Sequence, residues 1–361
     1  MDNDFIFADR ALIKFVSNHF TMAYQPGFFD VDNRIEKIKE YNSPLLRLAE
    51  YIDFNFFRDE LEKYFRQGKD YSKGGRPAYD YVLMFKILVL QHFYNISDDQ
   101  TEFCINDRFS FMQFLNLQLG QRVPDAKTIW HFKNELSRED MINKLFTLLH
   151  NQLLTDGIIL NKGTIVDASF VNVPRQRNSR EENAQIKEGI ELEEWTAQKA
   201  RQKDVDARWT KKNDETHYGY KDHVKADAAT KLITGFEVTD ASVHDSNMLD
   251  ELLNDEDKVV FADSAYRSEA QEQTLAEAAI KSMIMEKGFR NKPLIKTQIS
   301  RNKKKSKTRV RVEHIFGFMT NSMNGIFIRS IGMVRAKAAI GMKNLTYNLF
   351  RLVQLNIELT A

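Results

Sequence analysis

Three acidic residues of this 361-residue chain stand where acids are unusual. Asp167 closes the apolar run Thr164-Ile165-Val166, and Asp263 closes Val259-Val260-Phe261-Ala262. Both runs read as buried strands, where aspartate is disfavoured and costly to bury without compensation. The carboxyl ends of strands are also where α/β sheets hold ligands. Glu313 is the third acid, one position from the apolar stripe Val312, Ile315, Phe316 and Met319 of an amphipathic helix, so it borders the buried face. Singly, each has an ordinary reading: a cap or turn for the aspartates, a surface pair with Arg309 at i−4 for the glutamate. Together they make an all-oxygen, highly charged set suited to Mg²⁺ or Mn²⁺. Two such ions about 3.5–4 Å apart activate an attacking oxygen and stabilise the leaving one in phosphodiester chemistry. Other chemistries lack their residues. No Cys/His group has zinc spacing, no Gly-rich phosphate loop follows a strand, and no G-x-S-x-G elbow is present.

A source of phosphate attraction lies directly before the third acid. From Gly288 to Val312 there are ten basic residues and no acidic one in 25 positions: Arg290, Lys292, Lys296, Arg301, Lys303, Lys304, Lys305, Lys307, Arg309 and Arg311. The formal total is +1, so the remaining residues sum to −9. Like charges packed this closely repel unless a polyanion compensates them. A near-neutral total argues against nucleic-acid binding only if the charge is evenly spread, and it is not. A second segment, Arg175 to Glu215, holds ten basic and ten acidic residues in 41 and reads as a solvated helical insertion held by i,i+4 pairs.

The elements that must position these residues fall in two groups. The first ~160 residues read as helical. Lys73-Gly74-Gly75-Arg76-Pro77 is a flexible basic turn, with Pro77 suited to starting a helix. Tyr79 to Tyr94 is too densely apolar for a surface helix. Ser97 and Gln100 fit a capping box, Arg108 to Leu119 a short helix stopped by Gly120, and Asp125 a cap for Ala126 to Leu136. Arg138 to Thr155 is a longer helix stopping at Gly157. Lys127, Thr128, Trp130, His131 and Lys133 resemble a helix-turn-helix in outline, although a structural helical domain fits the pattern equally. From residue 159 the period changes. Ile159-Leu160 and Thr164 to Val171, then Gly219 to Ala226 and Leu232 to Thr239, read as strands joined in a meander. Ser246–Leu253 is a helix, Lys258–Asp263 a strand, Glu269–Ala279 a helix, Lys281–Met285 a strand and Arg309–Met323 a last amphipathic helix. This order predicts an α/β sheet that starts as a meander and continues by helical crossovers.

Composition bounds the setting. Hydrophobic residues make up 42% and charged residues 29%, which excludes a mostly disordered chain. Cys104 is the single cysteine, so no internal disulfide forms and a reducing, cytoplasmic setting is expected. The acidic start MDNDFIFADRALIKF does not read as a secretory signal. Tyr81 to Leu90, the most apolar stretch, is far short of the ~20 residues that span a membrane.

At these residues the chain resembles a DDE transposase of a bacterial insertion sequence, of the insertion-sequence-five kind. Val166-Asp167-Ala168-Ser169 is similar to the first aspartate motif and Ala262-Asp263-Ser264-Ala265-Tyr266 to the second. Arg309-Val310-Arg311-Val312-Glu313-His314-Ile315-Phe316-Gly317 is similar to the third. Gly74-Gly75-Arg76-Pro77, Val123-Pro124-Asp125, Thr128-Ile129-Trp130, Asp206 to Thr210, Tyr218 to Lys221 and Val243 to Ser246 also look like family stretches, so the likeness covers nearly the whole chain. Two positions depart from the pattern. Ser306 stands where the family often has Tyr, and Thr320 where it often has Lys.

The resemblance implies an RNase H-like mixed α/β sheet with flanking helices, preceded by an all-α N-terminal domain. Its expected divisions are residues 1–158 for a helical DNA-binding domain, 159–335 for the catalytic domain with the charged insertion at 174–216, and 336–361 for a C-terminal helix packed on the core. It implies hydrolysis at the element's ends to free a 3′-hydroxyl, followed by transesterification into target DNA. Asp167, Asp263 and Glu313 are the expected catalytic residues and metal ligands, for two Mg²⁺ or Mn²⁺ ions. Lys303, Lys304, Lys305, Lys307, Arg309, Arg311 and Tyr266 are expected DNA contacts, Tyr266 by stacking on a base or else simply packing. His244 reads as a helix-start residue. The partners implied are double-stranded DNA and a second copy of the chain, with no membrane, in a cytoplasmic protein associated with the nucleoid when bound. Two other readings stay open: a transposase-derived DNA-binding protein that no longer reacts, and a metal-dependent nuclease without end recognition.

Overall fold

The computed structural model describes residues 27–41, 43–67, 74, 77–190, 195–212, 214–289 and 291–360. Lys73, Gly75 and Arg76 of the basic turn, Arg290 of the basic run and the acidic start of the chain lie outside them. The chain divides into two compact units, Met1–Tyr41 and Asn42–Ala361. In the first, α1 (Asp30–Glu40) has Asp30 and Asp32 in its first turn and Lys37 and Lys39 in its last, the charge order a helix dipole favours.

The second unit opens with helices α2 (Pro44–Tyr51), α3 (Arg58–Arg66), α4 (Tyr81–Tyr94), α5 (Asp98–Asp107), α6 (Phe109–Leu115), α7 (Ala126–Ser137) and α8 (Met141–Thr155). Helix α4 is apolar on all sides and becomes the centre of the core. It begins at Tyr81, not near Pro77, because the Asp80 carboxylate accepts from the Leu83 N–H at 2.9 Å and sets the first turn. Ser97 caps α5 as expected, but Gln100 donates to Cys104 Sγ instead of turning back, so only half of the capping box forms. Helix α6 ends four residues before the expected Leu119, since Asn116 takes the left-handed conformation (φ 56°). The helix expected from Arg138 starts at Met141, because Glu139 and Asp140 at positive φ break it first. Asp125 caps α7 as expected.

The sheet follows. Its strands are β1 (Thr164–Asn172), β2 (Arg208–Lys212), β3 (Glu215–Asp227), β4 (Ile233–Asp240), β5 (Val259–Phe261) and β6 (Lys281–Ser282), in the order β2-β3-β1-β5-β6 with β4 also on β3. Strands β1, β3 and β4 form an antiparallel meander, and β5 and β6 add in parallel beyond β1. This is the mixed sheet the sequence predicts, with one more strand. Ile159-Leu160 is not part of it. β6 is shorter than expected, although Met283 and Met285 continue the ladder through N–H bonds to Val260 and Ala262.

The charged segment is only partly helical. It forms α9 (Arg180–Glu188), α10 (Ala197–Arg201) and the strand β2. No i,i+4 ion pair holds it among its described residues; Glu182 instead accepts from Lys199 and from Trp195 Nε1, joining two segments distant in sequence. Helices α11 (Leu249–Leu252) and α12 (Glu269–Glu277) link the later strands. The basic run folds as α13 (Lys296–Arg309), and the expected 309–323 helix is α14 (Arg311–Asn321), set off by a break at Val310.

Helix α15 (Met333–Leu355) closes the fold. It packs on α2, α4, α7, α8 and β4, so one hydrophobic cluster runs from Leu45 through the sheet to Leu359. Each fully buried leucine in it, such as Leu345 or Leu349, contributes about 2 kcal/mol. Its polar positions are used as well: Asn348 accepts from the Ile233 N–H at 2.9 Å and donates to the Ile233 carbonyl at 2.8 Å, fixing β4 at its start. Among the described residues no helix is long and apolar enough to cross a membrane.

Candidate active site

Asp167 and Asp263 come from neighbouring parallel strands in matched register. Ile165 of β1 pairs with Phe261 of β5, and each aspartate lies two residues further along its chain. Adjacent strands run about 4.8 Å apart, so this offset sets the two carboxylates side by side. Asp167 accepts from its neighbour Ala168 N–H at 2.9 Å. Asp263 caps the short turn Ser264–Tyr266 by accepting from the Ser264 N–H. Burial pushes the Asp167 carboxyl above its usual range; the Ala168 N–H and Arg309 oppose the rise, and the Asp263 charge adds to it.

Glu313 does not join them directly. It sits in the first turn of α14 with its side chain 58% exposed, further from the buried face than the sequence predicts. Arg309 stands between. Its Nη1 donates to Asp167 Oδ2 at 3.1 Å and its Nη2 to Glu313 Oε1 at 3.0 Å. The i−4 pairing read from the sequence is therefore real, but it is half of a bridge that also reaches the strand aspartate. Among the described residues no three acids, histidines or cysteines are close enough together to hold a metal ion. The three expected acids are thus one juxtaposed pair and a third linked to it through a guanidinium.

The bridge ties α14 to β1, and both Arg309 and Asp167 are largely shielded from solvent. Arg309→Gln is expected to lower the stability of metal-free protein by about 2 kcal/mol, because Asp167 loses a charged hydrogen-bond partner while staying half-buried. Urea denaturation in EDTA measures it, and equal midpoints for variant and parent would contradict the bridge.

The expected DNA contacts divide into three groups. Lys303, Lys304 and Lys307 are exposed along α13. Lys305 and Arg311 are partly occupied with the protein's own backbone, Lys305 Nζ on the Ile284 carbonyl at 2.7 Å and Arg311 Nη1 on the Ala228 carbonyl at 2.5 Å. Tyr266 is 1% exposed and packs with Val166, Val260 and Ala262, which removes the base-stacking reading. Its buried hydroxyl has no hydrogen-bond partner among the described residues. Burial raises its pKa, and the charges of Asp167, Asp245 and Asp263 raise it further, which places the phenol against the acidic site. His244 accepts from the Ser246 N–H and starts a turn, as read from the sequence.

Sequence reasoning missed one pair. Lys221 of β3 and Asp245 form a buried salt bridge at 2.8 Å, with Lys212 of β2 at 3.5 Å from the same carboxylate. Burial favours the neutral acid, but Lys221 outweighs it and holds the Asp245 carboxyl below its usual range. Both residues lie in stretches singled out by their family likeness, Tyr218 to Lys221 and Val243 to Ser246, where spacing alone pointed to no partner.

Comparison with known proteins identifies the family. The model of a family described as transposase DDE domain matches residues 160–349, and that of a family described as transposase domain (DUF772) matches residues 33–135. Among solved structures, the chain is similar to a piggyBac transposase synaptic complex with hairpin DNA determined by cryo-electron microscopy. The identity is 11% and the TM-score 0.41, over 90% of this chain and 78% of that one. The first match covers more than half of the chain and contains both strand-end aspartates, the arginine bridge and Glu313. The chain belongs to the transposase DDE domain family and is a DNA transposase.

Proposed function

We propose that this transposase hydrolyses phosphodiester bonds at the two ends of its element, freeing 3′-hydroxyls, and joins those hydroxyls to target DNA. The observation that carries this reading is the matched register of Asp167 and Asp263 at the ends of adjacent parallel strands, with Glu313 tied to Asp167 through Arg309. Transposase DDE domains generally use divalent metal ions. The donors here fit one: they are all carboxylate oxygens, and the Asp167 carboxyl is pushed up by burial and by its acidic neighbour, so a cation beside it is favoured. Asp167 and Asp263 would hold a Mg²⁺ or Mn²⁺ ion, and Glu313 would join them in holding a second where Arg309 gives way; the ions would supply Lewis-acid stabilisation of the attacking and leaving oxygens. The protein's own residues do the rest. Arg309 orients Asp167 and Glu313, the Ala168 and Ser264 N–H groups fix one oxygen of each aspartate, and the buried ring of Tyr266 packs with Val166, Val260 and Ala262.

Double-stranded DNA is the partner, and pairing two ends requires at least a dimer in the working complex. A division near residue 158 into a helical N-terminal part and a catalytic part belongs to the same reading, in line with the separate family matches at 33–135 and 160–349; the second match runs through the expected boundary at 335/336. The kinship with insertion-sequence-five elements and association with the nucleoid belong to the same reading.

The test uses full-length protein, duplexes carrying the element's ends and a supercoiled target, with Mg²⁺ or Mn²⁺. Joined product that disappears with EDTA is the expected result. Equal cutting of unrelated duplexes with no joining would replace transposition by plain nuclease action. A second expectation concerns α13. Changing the exposed Lys303, Lys304 and Lys307 to Gln should make the log–log salt dependence of DNA binding shallower, by about 0.9 for each phosphate that is no longer neutralised. Lys305, held on a carbonyl, should contribute less. Titration by fluorescence anisotropy across a KCl series decides it, and an unchanged slope would remove α13 from the DNA interface.

A further inference from the structure

A second group of cations lies near Glu313, around the turn between β3 and β4. Arg311 donates to the Ala228 carbonyl and Arg351 Nε to the Thr230 carbonyl at 2.7 Å, while Lys231 belongs to the turn itself. None of the three has an acidic partner among the described residues. Lys231 and Arg351 line an open concavity of about 540 Å³ together with His314, Gly317 and Glu313, and Glu313 is the only acid in its described lining. Burial lowers the Lys231 pKa, and the neighbouring Arg351 and Arg311 lower it further, so the three charges act on one another.

Support of the turn does not explain this grouping. A neutral amide would satisfy the Ala228 and Thr230 carbonyls as well as a guanidinium does. Lys231 is more telling. Its φ is 62°, in the left-handed region that favours glycine or asparagine, yet the position carries a lysine whose ammonium has no acidic partner among the described residues. Three uncompensated cations at one place cost free energy unless an anion joins them. The acid they adjoin is Glu313, so the anion that reaches them passes the reacting centre.

We infer that Lys231 and Arg351, with Arg311 on the neighbouring Ala228 carbonyl, form a phosphate-binding groove beside Glu313 that grips the DNA backbone flanking the reacting phosphodiester. This rests on the proposed DNA-joining function and adds to it a binding surface separate from the lysines of α13. The groove takes phosphates and not bases: its donors are point charges and forks, and no exposed Phe, Tyr or Trp ring is among its described lining.

The test uses full-length protein and end-bearing duplexes in EDTA, read by anisotropy across a KCl series. Lys231→Asn removes the charge while keeping a residue suited to positive φ, so folding is preserved. Arg351→Gln keeps an amide donor for the Thr230 carbonyl. Each should weaken binding several-fold and make the salt slope shallower by about 0.9, and Lys231→Arg should restore both. Neutral methylphosphonates, placed one at a time beside the cleaved position, then locate the contact. At one position the substitution should weaken binding of the parent and leave Lys231→Asn unaffected. If Lys231→Asn binds with parental affinity and slope, or loses as much as the parent at every methylphosphonate, the groove is overturned. Such a result leaves the α13 lysines and the joining reaction standing; absence of salt-dependent DNA binding by the parent would instead overturn the functional reading itself.

Discussion

Asp263→Asn abolishes DNA joining while leaving the fold intact: the expected loss is about 10³-fold or more, from about 4 kcal/mol of transition-state charge stabilisation that an amide cannot help a metal supply. Asparagine is nearly the same shape, and its side-chain oxygen can still accept from the Ser264 N–H that the aspartate now caps. The substitution also removes a negative charge from beside Asp167, whose carboxyl that charge pushes up. Metal-free Asp263→Asn should therefore unfold at the same urea concentration as the parent or a higher one. Stability and activity move in opposite directions, as expected when acids are held together for chemistry against their mutual repulsion. Joined product within tenfold of the parent's would remove Asp263 from the reaction.

Gly219→Ala carries the second large effect, this time on stability. Gly219 pairs with Asn172 on one strand and with Arg208 on another, at φ 145°. A Cβ there would lie 2.2 Å from the Val171 carbonyl oxygen and 3.2 Å from the Val173 nitrogen. Both are backbone atoms of or next to β1, so neither can rotate out of the way. The expected cost is about 3 kcal/mol or more, from the clash together with a conformation alanine avoids. Because β1 carries Asp167, surviving folded protein should also join DNA poorly. A urea midpoint within about 0.5 kcal/mol of the parent would contradict the close approach.

The strands and the two aspartates were legible because their signals are local: an apolar run with an acid at its end needs no knowledge of the partner strand. The matched register of Asp167 and Asp263 was not, since it depends on β5 pairing in parallel with β1 across almost a hundred residues. β2 escaped for a related reason. Arg208-Trp209-Thr210-Lys211-Lys212 is mostly polar and lies at the end of a charged stretch, and only pairing with β3 makes it a strand. The break at Val310 was hidden because Arg309 to Met323 keeps helical spacing straight through it. Tyr266 stayed open between stacking and packing because an aromatic ring beside an acidic motif reads the same whether it faces solvent or the core. The cations around Lys231 were invisible for the plainest reason, as they come from three separate parts of the chain.

The guanidinium bridge between Asp167 and Glu313 also sets up a thermodynamic linkage. Arg309 is the counter-ion that Asp167 and Glu313 share, so a divalent cation held there as proposed would compete with it. Once displaced, the arginine would be a bare charge in a half-buried place, and a phosphate of the DNA would be the anion to receive it. Under that reading cofactor and nucleic acid would each reduce the other's cost of binding, and by reciprocity the coupling would be equal in both directions.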